Sequence, residues 1–202
     1  MEIKCLPLGE IQTNCYLIST EKSALVIDPG FVSKAVEDFL KHNRNKDRMI
    51  LLTHCHFDHI GGAATLRENT DTKIAIGEIE NPALSDETVN LCNLFGAHIK
   101  PFSADITLKD NEVITVGDIS IKVLHTPGHT AGGVSYIIEN YLFSGDTLFL
   151  ESIGRTDFPQ GSFSALSASV KRLYELGDNL TVLAGHGPQT TILHEKTNNP
   201  YV

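Results

Sequence analysis

Cysteine is scarce: four in 202 residues (Cys5, Cys15, Cys55, Cys92), at spacings that fit no dense disulfide framework in a chain this long. Reduced thiols in a cytoplasmic protein are the expectation. Basic residues are also few, 16 against 25 acidic ones, for a formal charge of −9. That balance speaks against a nucleic-acid partner, which requires a basic surface; it mainly favours solubility. Long apolar runs are absent too. Nothing approaches the roughly 18 residues of a membrane helix, and the opening MEIKCLPLGEIQTN has no apolar signal core. Neither a membrane nor a secretory leader is therefore expected. No linker, repeat or low-complexity stretch divides the chain, so one domain over residues 1–202 is expected. At 41% hydrophobic and 20% charged, the composition supports a sizeable core without staples.

Short apolar runs bounded by turn residues predict strands at Ile3–Leu8, Cys15–Ile18, Ala24–Ile27 and Met49–Thr53. A second set is predicted at Glu112–Val116, Ile119–Leu124, Val134–Ile138, Tyr141–Phe143 and Thr181–Ala184. Helical spacing joins Val32, Val36, Phe39 and Leu40, with Ser33 a candidate cap. It also joins Phe163, Leu166, Val170, Leu173 and Tyr174, opened near Ser162 and stopped at Gly177. Another helix is predicted from about His59 to Glu68, and residues 81–95 read as helical with a poor pattern. Strands then helix, twice over, suggest two sheets face to face with helices outside, a four-layer α/β sandwich.

Nine histidines are present, and their placement is the main signal. Thr53-His54-Cys55-His56-Phe57-Asp58-His59 directly follows a predicted strand. Four good ligands within six residues cannot all be core residues, because each buried polar group needs its own partner. Imidazole and carboxylate suit zinc, with iron or manganese as alternatives. In an extended loop His54 and His56 point the same way while Cys55 points away, and Asp58 and His59 can face a second ion. Gly61-Gly62 would allow close backbone packing. Three more ligand types follow strand ends beside glycines: His129 in TPGHT, Asp146 in SGDT and His186 in GHGP.

HxHxDH, TPGHT, GDTLF and GHGP, in that order and over nearly the whole chain, resemble the metallo-β-lactamase superfamily. The resemblance implies an αββα fold and two divalent metal ions. His54, His56 and His129 would hold the first; Asp58, His59 and His186 would hold the second, with Asp146 bridging. Lactamases with a cysteine ligand carry it where Asp146 stands, so antibiotic hydrolysis is disfavoured. Flavodiiron proteins have glutamate where His56 stands, and the nuclease branches carry basic additions absent here. The stretch Gly145–Phe149, then Ser152–Pro159 with Arg155, is similar to short bacterial glyoxalase II (hydroxyacylglutathione hydrolase)-like proteins, as is the tail from Gly187 to Pro200. Larger glyoxalase II enzymes add a C-terminal helical domain that is not expected in this sequence.

The implied activity is hydrolysis of a small-molecule thioester such as S-lactoylglutathione by a metal-bound hydroxide, with Asp58 orienting it and taking its proton. Arg155 is the candidate substrate anchor, a fork for a carboxylate, or else a salt-bridge partner of Asp157. Asp28 either supports the metal loops or only forms its turn. His125 either supports a ligand loop or caps a strand, while His42, His98 and His194 read as surface or packing residues. The alternatives are a mononuclear-iron persulfide dioxygenase and a lactone or phosphodiester hydrolase on the same scaffold. Oligomeric state is left open.

Overall fold

The computed structural model describes residues 1–202. Its first sheet contains β1 (Glu2–Leu8), β2 (Thr13–Ser19), β3 (Ser23–Ile27), β4 (Asp47–Leu52), β5 (Ile74–Gly77) and β6 (Ile106–Leu108), side by side in that order. β1 to β3 pair antiparallel, and β3 to β6 pair parallel. The second sheet is formed by β7 (Val113–Val116), β8 (Ile119–His125), β9 (Val134–Ile138), β10 (Tyr141–Gly145), β13 (Thr181–Ala184) and β14 (Thr190–Thr191). Its spatial order is β14-β13-β10-β9-β8-β7. A small hairpin, β11 (Leu148–Phe149) and β12 (Ser152–Ile153), follows β10.

Side-chain alternation builds the layers. Leu25 and Ile27 of β3 and Leu51 of β4 meet Ile121, Val123, Tyr136 and Phe143 between the sheets. The intervening Val26, Ile50 and Leu52 face outward onto α1 (Lys34–His42) and α3 (Ala63–Thr70), through Val36, Leu40 and Leu66. On the far side, Leu142 and Val182 pack under Val170 and Leu173 of α5 (Phe163–Tyr174) and Ile192 of α6 (Ile192–Asn198). The expected four-layer αββα order is therefore present. Strands covered on both faces read as unbroken apolar runs, which is why Ala24–Ile27 and Met49–Leu52 stand out in the sequence.

Three details differ from expectation. The helix expected from His59 to Glu68 is two pieces, α2 (Phe57–Ile60) and α3, because Gly61 and Gly62 lie against other backbone: a Cβ at Gly62 would come within 2.5 Å of the Phe31 carbonyl oxygen. Residues 81–95 hold a 3-10 turn at Asn81–Ser85 and one α turn, α4 (Cys92–Phe95), instead of a continuous helix. The sequence predicts no element at β5, β6, β11, β12, β14 or α6; four residues or fewer per strand give no readable period. β8, β10 and β13 share one direction within their sheet. The loops after their carboxyl ends, with the loop after β4, bear His129, Asp146, His186 and His54–His59.

Candidate metal centre

These four loops bring all seven expected ligands together. His54, His56 and His129 form one group of mutually close donor atoms, and Asp58, His59 and His186 form another; Asp146 groups with His54 and His59 between them. His129 Nε2 lies 2.9 Å from His56 Nδ1, and His54 Nε2 lies 3.1 Å from the same atom. His186 Nε2 is 3.2 Å from Asp58 Oδ2 and 3.4 Å from His59 Nε2. Asp146 reaches both groups, with Oδ1 3.4 Å from His59 Nε2 and Oδ2 3.5 Å from His129 Nε2. Ligands at about 2.0–2.2 Å around a tetrahedral zinc lie about 3.3–3.5 Å from one another, so this spacing suits a shared cation.

The surrounding hydrogen bonds determine which ring atom faces inward. Asp28 can only accept, so His59 Nδ1 donates to its Oδ2 (2.9 Å). Thr53 Oγ1 donates to the same carboxylate (2.6 Å) and accepts from His54 Nδ1 (3.0 Å). His129 Nδ1 donates to the Arg155 carbonyl (2.8 Å). With those protons committed, the Nε2 atoms of His54, His59 and His129 present lone pairs to the cluster. His56 Nδ1, 3.1 and 2.9 Å from the Nε2 atoms of His54 and His129, can offer its one proton to only one of them, so at least one contact is lone pair against lone pair unless a cation lies among them. Asp146 Oδ1 is buried without a hydrogen-bond partner, and a Cβ at Gly185 would lie 2.2 Å from that atom and 2.7 Å from His59 Cε1. The donor set and the space kept by glycine both fit a divalent metal centre.

Electrostatics agree. Burial, then the neighbouring His129, depresses His56 to about 3, and burial likewise holds His54 well below the usual imidazole range. Both are neutral ligands at neutral pH. Burial works against the charge of Asp58, but His59, His186 and Thr13 outweigh it and bring the carboxyl to about 2. His59 is driven well above its ordinary value despite burial, by Asp58, Asp146 and Asp28.

Several supporting residues carry no sequence signal. Thr13 Oγ1 donates to Asp58 Oδ2 (2.7 Å). Buried Glu80 accepts from the backbone N–H groups of Cys55 and Gly132, both at 2.8 Å, tying the first ligand loop to the one after His129. Asn14 Nδ2 donates to the carbonyls of Ala184 and Gly187, bracing the His186 loop. Threonine, glutamate and asparagine are too common for their type to announce such roles; only the fold brings them to the loops. Asp28 does support the metal loops. His125 Nε2 contacts the Ala131 carbonyl (3.1 Å), on the loop that follows His129, outside the donor cluster. Cys55 points into the apolar core beneath α3.

Above the donors opens a cleft of about 460 Å³, lined by Phe57, Phe95, Phe158, Phe149 and Arg155 among others. The Arg155 guanidinium does not stand free. It donates from Nε and Nη2 to Asp157 (2.7 and 2.6 Å) and lies 3.9 Å from the centre of the Phe158 ring.

Two packed mixed sheets, helices outside, and a histidine–aspartate centre at strand ends beneath an open cleft define a metal-dependent hydrolase. Residues 8–186 match the metallo-beta-lactamase superfamily, and the chain belongs to that superfamily. It is 34% identical to the probable metallo-hydrolase YqgX of Bacillus subtilis and 34% identical to the hydroxyacylglutathione hydrolase GloC of Haemophilus influenzae. Each alignment covers 100% of this chain and 98% of the relative. Among solved structures, the BLEG-1 B3 metallo-beta-lactamase is 38% identical with a TM-score of 0.91, over 99% of both chains. ETHE1 from Myxococcus xanthus is 31% identical with a TM-score of 0.80, over 99% of this chain and 84% of that one. TTHA1623 in a di-iron-bound form is 33% identical with a TM-score of 0.86, over 98% and 100%. A protein named as a B3 metallo-beta-lactamase thus stands among the full-length relatives of this chain, so aspartate at position 146 does not by itself disfavour a lactam substrate. No helix of the structure is long and apolar enough to cross a membrane.

Proposed function

We propose that this chain is cytoplasmic and hydrolyses a small-molecule thioester at two divalent metal ions, zinc first, iron or manganese as alternatives. One observation carries the reading: two three-residue donor groups joined by Asp146 under an open cleft, in a chain aligned end to end with a hydroxyacylglutathione hydrolase. His54, His56 and His129 would hold one ion, Asp58, His59 and His186 the other, and Asp146 both. Bound there, the ions supply Lewis acidity and water of lowered pKa.

The protein's own groups do the positioning. Asp58 is kept ionised and is oriented by Thr13; it would orient the attacking water and receive its proton. Asp28 and Thr53 hold the rings of His59 and His54 at fixed angles. The thiol leaves as a stable anion, so no further acid is required. Arg155, half exposed at the cleft, would meet an anionic part of the thiol by exchanging its Asp157 partner.

A second reading, a mononuclear-iron dioxygenase acting on a persulfide, draws on a full-length structural relative only for the identity of the metal, iron; the two ions of that relative match the binuclear reading in number. Turnover of lactoylglutathione, simple acyl thioesters, glutathione persulfide, a lactam, a lactone and a phosphodiester, with elemental analysis, tests both. Thioester hydrolysis with close to two metals per chain is expected. One iron per chain with oxygen uptake on the persulfide would replace this reading with the dioxygenase.

A further inference from the structure

Beyond the metal ligands, the cleft is unusually one-sided in its chemistry. Five of its lining residues are the donors His56, Asp58, His129, Asp146 and His186. Of the remaining nine, seven are apolar, and the polar two are Ser152 and Arg155. Arg155 is the only lysine or arginine there, and Asp157 already neutralises it through two hydrogen bonds. The chain as a whole is acidic. An anionic group attached to the reacting carbonyl finds no free cation among these side chains.

The apolar side is organised. Phe57 and Phe95 stack with centroids 5.0 Å apart, Phe95 meets Phe158 edge-on at 6.1 Å, and Phe158 meets His56 edge-on at 5.8 Å. An aromatic wall thus runs from a metal-ligand ring out to Phe95, which is 50% exposed. Leu91, buried beside this wall, adopts φ 67°, a left-handed conformation that is strained for a bulky residue. It is held there by Asn90, whose Oδ1 accepts from the Cys92 N–H (3.0 Å) and whose carbonyl accepts from the Phe57 N–H (2.9 Å). The loop bearing Leu91 and Phe95 is thus fastened to Phe57, the residue between His56 and Asp58.

We propose that this wall is the acyl-group subsite and that it selects a flat, apolar acyl chain, aryl above all, over an anionic one. The inference rests on the thioester reading. Carrier thiols are long and polar and lead out to solvent, whereas the acyl chain ends inside the cleft. An aryl ring there stacks on Phe95 and Phe158 and removes exposed apolar surface from water; a carboxylate there is desolvated beside phenylalanines without a partner.

The test uses metal-loaded protein and thioesters of one neutral thiol, N-acetylcysteamine, carrying phenylacetyl, acetyl or succinyl groups. Phenylacetyl is expected to exceed succinyl in kcat/KM by about tenfold or more. Phe95→Ala and Phe158→Ala should each lower the phenylacetyl-to-acetyl ratio several-fold. Equal use of phenylacetyl and succinyl thioesters, or an unchanged ratio in both variants, overturns the proposal. Binding provides a separate readout. The chain has no tryptophan, so Phe95→Trp places a single indole on the wall. Its emission should shift with phenylacetamide and not with succinamate. If no thioester is hydrolysed, the catalytic reading fails, while that shift still upholds the apolar subsite and its absence overturns it.

Discussion

Glu80 provides the sharpest test of how the metal loops are held. It is a carboxylate 1% exposed, and its two oxygens each accept one backbone N–H at 2.8 Å, from Cys55 between two ligands and from Gly132 three residues past His129. Glu80→Gln keeps shape and volume but replaces one oxygen with a donor that faces a backbone N–H. Hydrogen bonds to a charged acceptor contribute about 1.5–3 kcal/mol each, and a buried unpaired donor adds its own cost, so a loss of about 2–4 kcal/mol follows. For a chain of this length that is about 4–16 °C in Tm, at about 2–4 °C per kcal/mol. Because the clamp joins the loops of His54, His56 and His129, metal affinity should also fall, by about 10- to 100-fold. Calorimetry with and without metal, and competition against a chromophoric chelator, measure the two effects. Exposed Glu78→Gln is the control. A Glu80→Gln protein that melts with wild type and retains its metal equally well would refute the clamp.

Thr13→Val removes the hydrogen bond that orients Asp58 and helps hold its carboxyl at about 2. Turnover should drop about tenfold, and the acidic limb of the pH profile should move upward; an unmoved limb contradicts the role. For His56, depressed to about 3, the unfolded chain binds a proton between about pH 6.5 and 3 that the folded one refuses. Its contribution to stability is therefore complete above about 6.5 and lost as pH falls toward 3. In metal-free protein, wild type should lose about 3 kcal/mol relative to His56→Gln between pH 7 and 4; parallel denaturant midpoints across that range would exclude it. Asp157→Ala frees the Arg155 fork, so kcat/KM for lactoylglutathione should rise several-fold while a neutral thioester is unaffected, and Arg155→Ala should do the opposite. Equal changes for both substrates assign Arg155 to structure alone.

The metal ligands were legible because their chemistry is costly anywhere else. Four donors in His54–His59 cannot be hidden in a core, and His129, Asp146 and His186 each follow an apolar run that ends beside glycine. The long buried strands were legible for the related reason that both faces are covered. The supporting groups were not: Thr13, Glu80 and Asn14 are ordinary surface residues by type, and each acts on a loop more than 20 positions away, as Glu80 does on Cys55. Likewise, the motif left Arg155 between a substrate carboxylate and a salt bridge to Asp157, and only packing closed its fork on Asp157 and laid it over Phe158. Local sequence carries residue type and spacing, which suffice for a ligand whose alternatives are excluded by desolvation. Which acceptor a given donor finds, and which rings meet above the metals, depends on side chains that only sheet packing brings within reach.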